Sequence, residues 1–460
     1  MKLLRPRIHL TPPTGWMNDP NGLLYHQGVY HVFYQYYPDG LEWGPMHWGH
    51  AITKDWLHWD HQPIALYPDN LGTIFSGCAV VDIQNSSGLG SAKTPPLVAL
   101  FTYHNSEKEN KEKVNFQSQG LAFSLDNGKT WSKYANNPVL EDSNSTDFRD
   151  PKVFWDSQHD QWVMSLAEGD CIGFYRSTNL IRWTLTSRFG KTEGAHGGVW
   201  ECPDLFPLKD AQGIVYWVLL VSINPGGPEG GSATQYFIGE WNGSEFIPSN
   251  SEICWLDQGT DHYAGVTFSN HEEQRLLLGW MNNWKYGQQI PADNYRGCMT
   301  AARELFLHTT KGKLSLGNRL PSAFTKHFSL STRVSPNEVH PLSQTTFLLN
   351  IEFKADFVLE LKNDAGEKIT VCYDQKSLLI DRCSSHVNEF HPDFFQPIKD
   401  VFHSETGKMQ LLIDTSSLEI FTPEGQSWTL LFYLDQPLQT LYNKGLDHIE
   451  KCNLNGVLTN

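Results

Sequence analysis

At 460 residues the chain exceeds what one hydrophobic core usually supports, so two or three domains of roughly 150 residues are expected. With 40% hydrophobic and 19% charged residues, the composition is globular and excludes disordered, collagen-like and small disulfide-stapled classes. A net charge of -16, with no basic cluster beyond the dispersed Lys108, Lys111 and Lys113, argues against nucleic acid as a partner, and no run approaches the roughly 20 apolar residues of a membrane span.

The first ten residues interrupt their apolar positions with Lys2, Arg5, Arg7 and His9, so they lack the apolar centre of a signal peptide. As written, the chain is expected in the cytoplasm, or outside the cell if a leader was removed. The compartment stays open. Five times thereafter a short apolar strand, a polar turn and a second strong strand recur, over 22–35, 79–103, 151–166, 204–223 and 265–281. Between copies a turn leads into Trp and a strand: KDWLHW (54–59), SLDNGKTW (124–131), STNLIRW (177–183) and, more weakly, EWNGSEF (240–246). Each unit then supplies about four antiparallel strands, and radial stacking of such units makes a propeller with one end of every inner strand at a central funnel.

Near residue 322 the Trp-rich repeat stops. Alternating segments at 346–353, 357–361, 378–380, 409–414 and 418–422 read as a β-sandwich, with 311–316 as candidate linker and 334–344 as a polar loop. The expected organisation is all-β, with a five-bladed propeller over 1–321 and a sandwich over 322–460. Because the sandwich carries none of the acids singled out below, it is expected to be structural, covering an apolar flank of the propeller.

Eight cysteines are scattered singly, with no Cys/His set at zinc spacing, so neither metal nor cofactor is expected; Cys372 and Cys383 flank a candidate hairpin and pair if oxidised. Asn-x-Ser/Thr sequons at Asn85, Asn144 and Asn242 are compatible with secretion. Aromatics are abundant, at 16 Trp, 17 Tyr and 25 Phe; most suit a β-rich core, while those beside clustered acids also suit the apolar faces of sugar rings.

Three carboxylates stand at matching places in three repeats: Asp19 in WMNDPNG, Asp150 in FRDPKVF and Glu201 in VWECPDLF, each with Pro within two residues. Singly each reads as a turn residue. Together, propeller symmetry brings them to one funnel end. Converging carboxylates suit glycoside hydrolysis, in which one protonates the leaving oxygen and another attacks or activates water. An oxygen-only calcium or magnesium site is the competing use, but neighbouring Trp16, Arg149 and Trp200 describe a surround better suited to sugar.

WMNDPNG (16–22), FYQYYP (33–38), WGPMHWGHA (43–51), IFSG (74–77), FRDP (148–151) and HGGVWECPD (196–204) occur in order and together resemble glycoside hydrolase family 32, the invertases, exo-inulinases and exo-levanases. DTSSLEIF (414–421) resembles a motif of that family's C-terminal sandwich. The resemblance implies a retaining enzyme acting on a terminal non-reducing β-D-fructofuranosyl unit of sucrose or a fructo-oligosaccharide. By the same motifs Asp19 matches the nucleophile, Glu201 the general acid/base and Asp150 the stabiliser of fructose hydroxyls. Asn18, Gln35, Trp43, Phe75, Ser76, Arg149 and Trp284 match fructose-pocket positions, with Trp280 a rival to Trp284. DHYAG (261–265) departs from the family's usual Asp-Phe-Tyr-Ala stretch at His262 and Gly265.

Cleavage at a ketofuranoside's anomeric carbon develops positive charge, so an ionised Asp19 beside it stabilises and then bonds that carbon, while Glu201 must start with a proton. Arg149 has two readings: holding Asp150 charged and oriented, which is favoured, or pinning its turn. His196 faces either sugar or backbone, and Cys202 reads as packing. A fructosyltransferase would use the same three acids, and a non-catalytic sugar-binding propeller would have no use for nucleophile and acid together. Oligomeric state and the choice among sucrose, inulin and levan are not legible.

Overall fold

The computed structural model describes residues 5–271, 273–310, 312–382 and 385–455. Five sheets follow one another, each laid down as antiparallel strands in chain order, with Tyr295–Arg296 added in parallel beside the first strand of the first sheet. They comprise Gly15–His26, Val29–Tyr37, His47–Thr53 and Asp60–Leu66; then Thr73–Val81, Leu97–His104, Gln117–Ser124 and Ser132–Lys133; then Phe148–Asp156, Gln161–Glu168, Ile172–Ser177 and Thr184–Phe189. Val199–Lys209, Val215–Asn224, Ala233–Trp241 and Phe246–Pro248 form the fourth, and Tyr263–Thr267, Arg275–Trp280, Arg303–Thr310 and Lys313–Arg319 the fifth. Inner strands of successive sheets are neighbours, and that of the fifth returns to that of the first. The ring is a five-bladed propeller.

The recurring aromatic element is the turn between the third and fourth strands of blades one to four. Its local chemistry explains the recurrence. The carboxyl or amide oxygen of Asp55, Asp126, Asn179 and Asn242 accepts from the backbone amides of His58, Thr130, Arg182 and Glu245, at 2.9, 2.9, 3.0 and 3.0 Å. Such side chains mimic a backbone turn and reverse the chain without another peptide group.

Between blades, inner and middle strands bury their side chains face to face: Val163, Phe174, Leu219 and Phe237 in one cluster, Leu100, Leu121, Val153 and Met164 in another. Each such side chain contributes roughly 1.5–3 kcal/mol relative to exposure. The ring therefore holds its inner strands rigidly, which is what a site built on them requires.

Two six-stranded sheets follow as the sandwich. Phe328–Arg333, His448–Leu454, Phe347–Glu352, Lys408–Asp414, Ser417–Phe421 and Ser427–Leu431 face Val339–Pro341, Thr440–Lys444, Phe357–Lys362, Lys368–Tyr373, Ser377–Asp381 and Ile398–Val401 across an apolar core. Two sequence expectations are corrected here. Residues 313–316 of the candidate linker belong to the last strand of blade five, and 334–344 contains a strand paired with Thr440–Lys444. The strand within 334–344 is three residues long and mostly exposed, so it lacks the apolar alternation that marks a strand in sequence. Cys383, the expected partner of Cys372, lies outside the described residues.

The flank between propeller and sandwich is only partly apolar. Leu348, Leu412 and Phe421 share a cluster with Leu10 and Phe324, but charges sit at the contact's centre. Buried Arg303 donates to Asp257 at 2.8 Å and to Glu419 at 2.6 Å, and buried His9 lies 2.8 Å from both Asp414 and Glu419. Buried charge is costly unless paired, so these pairs favour the one docking geometry in which each charge meets its partner.

Candidate active site

All five inner strands slip register at one level: between Met17 and Pro20, Ile74 and Gly77, Arg149 and Lys152, Glu201 and Asp204, and Tyr263 and Val266. There three residue steps face two on the neighbouring strand, a β-bulge that kinks the strand and re-aims its side chains. The acids therefore lie within strands, not at turn tips before them. Nor do they share one position: Glu201 precedes its bulge, level with Arg149 and Tyr263, Asp150 is the first bulge residue of its blade, and Asp19 the second of its own. Asp150 and Cys202 hold φ of +64° and +48°, a left-handed conformation costing of order 1–3 kcal/mol in non-glycine residues and typical of functional sites.

Asp19 and Asp150 are linked through Cys202, while Glu201 is held by partners of its own. Asp19 Oδ1 accepts from Asn18 Nδ2 at 3.0 Å, and its Oδ2 from Ser76 Oγ at 2.9 Å and, weakly, from Cys202 Sγ at 3.7 Å. Asp150 Oδ2 accepts from the Cys202 backbone amide at 3.0 Å, and the Asp150 amide donates to Thr102 Oγ1 at 3.0 Å. Glu201 Oε1 accepts from Arg149 Nε and Nη2 at 3.2 and 3.1 Å, and its Oε2 accepts from the Tyr263 hydroxyl.

Burial, reinforced by the Glu201 charge, raises the Asp19 pKa against the hydrogen bonds of Asn18 and Ser76. Burial also pushes Asp150 up to about 7, opposed by the Arg149 guanidinium and helped by the charges of Glu201 and Asp19. Like charges this close do not all ionise together, so the cluster retains a proton towards neutral pH. The Cys202 thiol is raised well above its ordinary value by burial and by the neighbouring acids, which keeps it protonated and inert as a nucleophile. Tyr263, raised likewise by burial and Glu201, stays a hydroxyl donor.

Around these acids the other sequence candidates divide. Asn18 is buried, held by Trp16 Nε1 at 2.7 Å, and buried Gln35 donates to Asn21 at 2.8 Å. Phe75 stacks on His104 at 4.4 Å, and Trp43, 41% exposed, meets Phe75 edge-on at 5.9 Å. Half-buried Trp284 stacks on Trp16 at 5.9 Å, whereas its rival Trp280 is fully buried. Two expectations change, and His196 takes the second of its two readings. Arg149 is bonded to Glu201 and, at 2.5 Å, to Asp147, and reaches Asp150 through charge alone. Trp200 alternates away from Glu201 into the blade core, where its ring stacks on His196. His196 itself lies against the Glu193 carbonyl at 3.1 Å.

Tyr263, Thr102 and Asp147 were not singled out from sequence. Tyr263 had a signal in DHYAG, since it is the blade-five counterpart of Arg149 and Glu201 about the bulge. One level further along, Lys152, Asp204 and Thr267 cross-link the inner strands, with Lys152 Nζ 3.2 Å from Asp204 and the Thr267 amide 2.7 Å from it. Among the described residues, no group of three or more His, Cys, Asp or Glu is arranged to hold a metal ion.

Residues 9–317 match the description "Glycosyl hydrolases family 32 N-terminal domain", and 318–453 match "Glycosyl hydrolases family 32 C terminal". A levanase of Bacillus subtilis is 41% identical over 92% of this chain, which spans 65% of that protein's length. The crystal structure of exo-inulinase from Aspergillus awamori superposes with a TM-score of 0.89 at 32% identity, covering 99% of each chain. A Schwanniomyces occidentalis fructofuranosidase variant complexed with fructosylnystose superposes at 0.87 and 31% identity, covering 98% of each.

Proposed function

The chain belongs to glycosyl hydrolases family 32, and on that premise we propose that it releases terminal non-reducing β-D-fructofuranosyl units from sucrose and fructans with retention at the anomeric carbon. The observation that carries this reading is the convergence of Asp19, Asp150 and Glu201 from three blades, with Glu201 gripped on both oxygens by Arg149 and Tyr263. Glu201 gives its proton to the glycosidic oxygen as the bond from C2 breaks, and an Asp19 oxygen bonds C2. Water then passes a proton to the Glu201 carboxylate and attacks C2, freeing fructose and Asp19. Neither step consumes a cofactor.

Each neighbour has a task in that sequence. Ser76 and Asn18 hold the two Asp19 oxygens in fixed directions, so no reorientation is needed as charge develops at C2. Asp150, fixed by the Cys202 amide, accepts from fructose hydroxyls. Trp43, Phe75 and Trp284 supply apolar walls for the furanose ring, and Gln35 a polar contact at its rim.

Side-by-side assays on sucrose, inulin and levan test the proposal. Fructose as the sole early product from the polymers supports exo-hydrolysis. Oligomer fragments overturn the exo assignment, and chain growth on sucrose makes the protein a fructosyltransferase.

A further inference from the structure

We infer that Arg382, a sandwich residue, positions the general acid of the propeller through Asp261 and Tyr263. This rests on the reading of Glu201 as general acid. Arg382 and Asp261 are both fully buried, and Arg382 Nη1 donates to Asp261 Oδ2 at 2.6 Å. The same guanidinium donates to the Leu431 carbonyl at 2.7 Å, to the Phe394 carbonyl at 3.1 Å and to Thr260 Oγ1 at 3.1 Å. It is a fork locked on every side.

Asp261 ends a segment that lies along the sandwich strand Ser427–Leu431. The Gln258 amide donates to the Ser427 carbonyl at 2.8 Å, the Asp261 amide to the Thr429 carbonyl at 3.1 Å, and the Leu431 amide to Asp261 Oδ2 at 2.8 Å. Contact is close enough that a Cβ on Gly259 would stand 2.2 Å from the Thr429 carbonyl oxygen. Two residues beyond Asp261, the chain enters the inner strand of blade five at Tyr263, whose hydroxyl donates to Glu201 Oε2. Where that strand begins, and hence where the phenol points, is fixed from the sandwich.

A second arm strengthens the link. Tyr286 donates its hydroxyl to Asp261 Oδ1, and Asn283 donates to the Thr260 carbonyl at 2.8 Å. These two residues flank Trp284 on the pocket wall. One buried ion pair thus pins both segments that bring sandwich-anchored residues to the sugar site. Arg149 alone then holds Glu201 Oε1, and without Tyr263 the carboxyl turns about that single anchor. A misaligned acid fails at proton delivery to the leaving oxygen, while Asp19 keeps its own anchors on Asn18 and Ser76.

The test compares kcat/KM on sucrose, whose leaving oxygen needs a proton, with kcat/KM on β-D-fructofuranosyl fluoride, whose leaving fluoride needs none. Full-length Arg382→Lys and the charge-neutral pair Arg382→Met with Asp261→Asn are measured beside Tyr263→Phe and Glu201→Ala. We expect the Arg382 variants to lose about 10- to 100-fold on sucrose, part of the roughly 100- to 10,000-fold that general acid catalysis supplies, and under about threefold on the fluoride. The lysine variant should retain more than the neutral pair, and adding Tyr263→Phe to it should cost little more, because one pathway is being cut twice. Equal losses on both substrates in the Arg382 variants, or failure of both to fold, overturn the proposal and leave Arg382 structural. Equal losses in Glu201→Ala instead overturn the reading of Glu201 as acid.

Discussion

Cys202 and Asp150 are each in the left-handed conformation, and the Cys202 amide donates to Asp150 Oδ2 at 3.0 Å. The bulge of blade four therefore supplies the hydrogen bond that orients the acid of blade three. Two strained residues, each costing free energy alone, are held by the ring around them, and the carboxyl they fix is buried among like charges. Placing charge there is unfavourable for folding.

Asp150→Asn should abolish turnover and yet raise stability. The pKa of Asp150 is raised by burial to about 7, above its unfolded value. The folded state thus binds the extra proton between roughly pH 4 and 7, and the group's contribution is lost as pH rises through that window. Asn keeps an acceptor for the Cys202 amide without the charge. The gain in melting temperature should be largest at about pH 8 and vanish near about pH 4. A variant less stable than wild type at about pH 8 would refute this account of the cluster.

Asp19→Ala and Glu201→Ala should each cost at least about 4 kcal/mol in barrier, roughly a thousandfold in rate, with the fold intact. Neither side chain fills a core, and both sit on strands the blade packing already holds. Retention of more than about a tenth of wild-type sucrose turnover by either would remove that residue from its role.

His9 makes stability fall in alkaline solution. Burial by itself would lower its pKa, but hydrogen bonds and charges from Asp414 and Glu419 overcome this and raise it to about 9. Since the folded value lies above the unfolded 6.5, the stabilisation is full below that pH and is lost as pH rises through 9. Denaturant midpoints measured between about pH 7 and 10 should decline, and His9→Gln should flatten the decline while lowering stability at neutral pH. An unchanged slope in the variant would assign the decline elsewhere.

How much of this was legible in sequence depended on distance along the chain. The blade count could be read because the strand, turn and strand that open each blade are local in sequence, and the acids because each stands within two residues of a Pro beside such a strand. Yet those prolines also hid the offset: Pro20 and Pro151 follow acids directly while Pro203 follows Cys202, so aligning on motif missed that the acids occupy successive positions about the bulge. The Tyr263–Glu201 and Arg382–Asp261 pairs bridge 62 and 121 residues. Such pairings leave no periodicity to read. The charged interface was missed for the same reason, since Arg303, Asp257 and Glu419 look like ordinary surface residues until the two domains meet.

Removing the sandwich by truncation near residue 320 should do more than reduce solubility. It takes Glu419 from Arg303, Arg382 from Asp261, and both Asp414 and Glu419 from His9, leaving on the propeller charges whose partners are gone. Truncation also strips the apolar cover that Leu348, Leu412 and Phe421 give to Leu10, so the melting temperature should drop sharply. It also frees the segment before Tyr263, and with it one of the two anchors of Glu201. All three acids remain, so a purely structural sandwich would leave each folded propeller cleaving sucrose at the full rate. The coupling described above predicts instead that the folded fraction, counted by active-site labelling, loses at least about tenfold on sucrose while fructosyl fluoride turnover survives. Full sucrose turnover per labelled site would show that blade five places Tyr263 unaided.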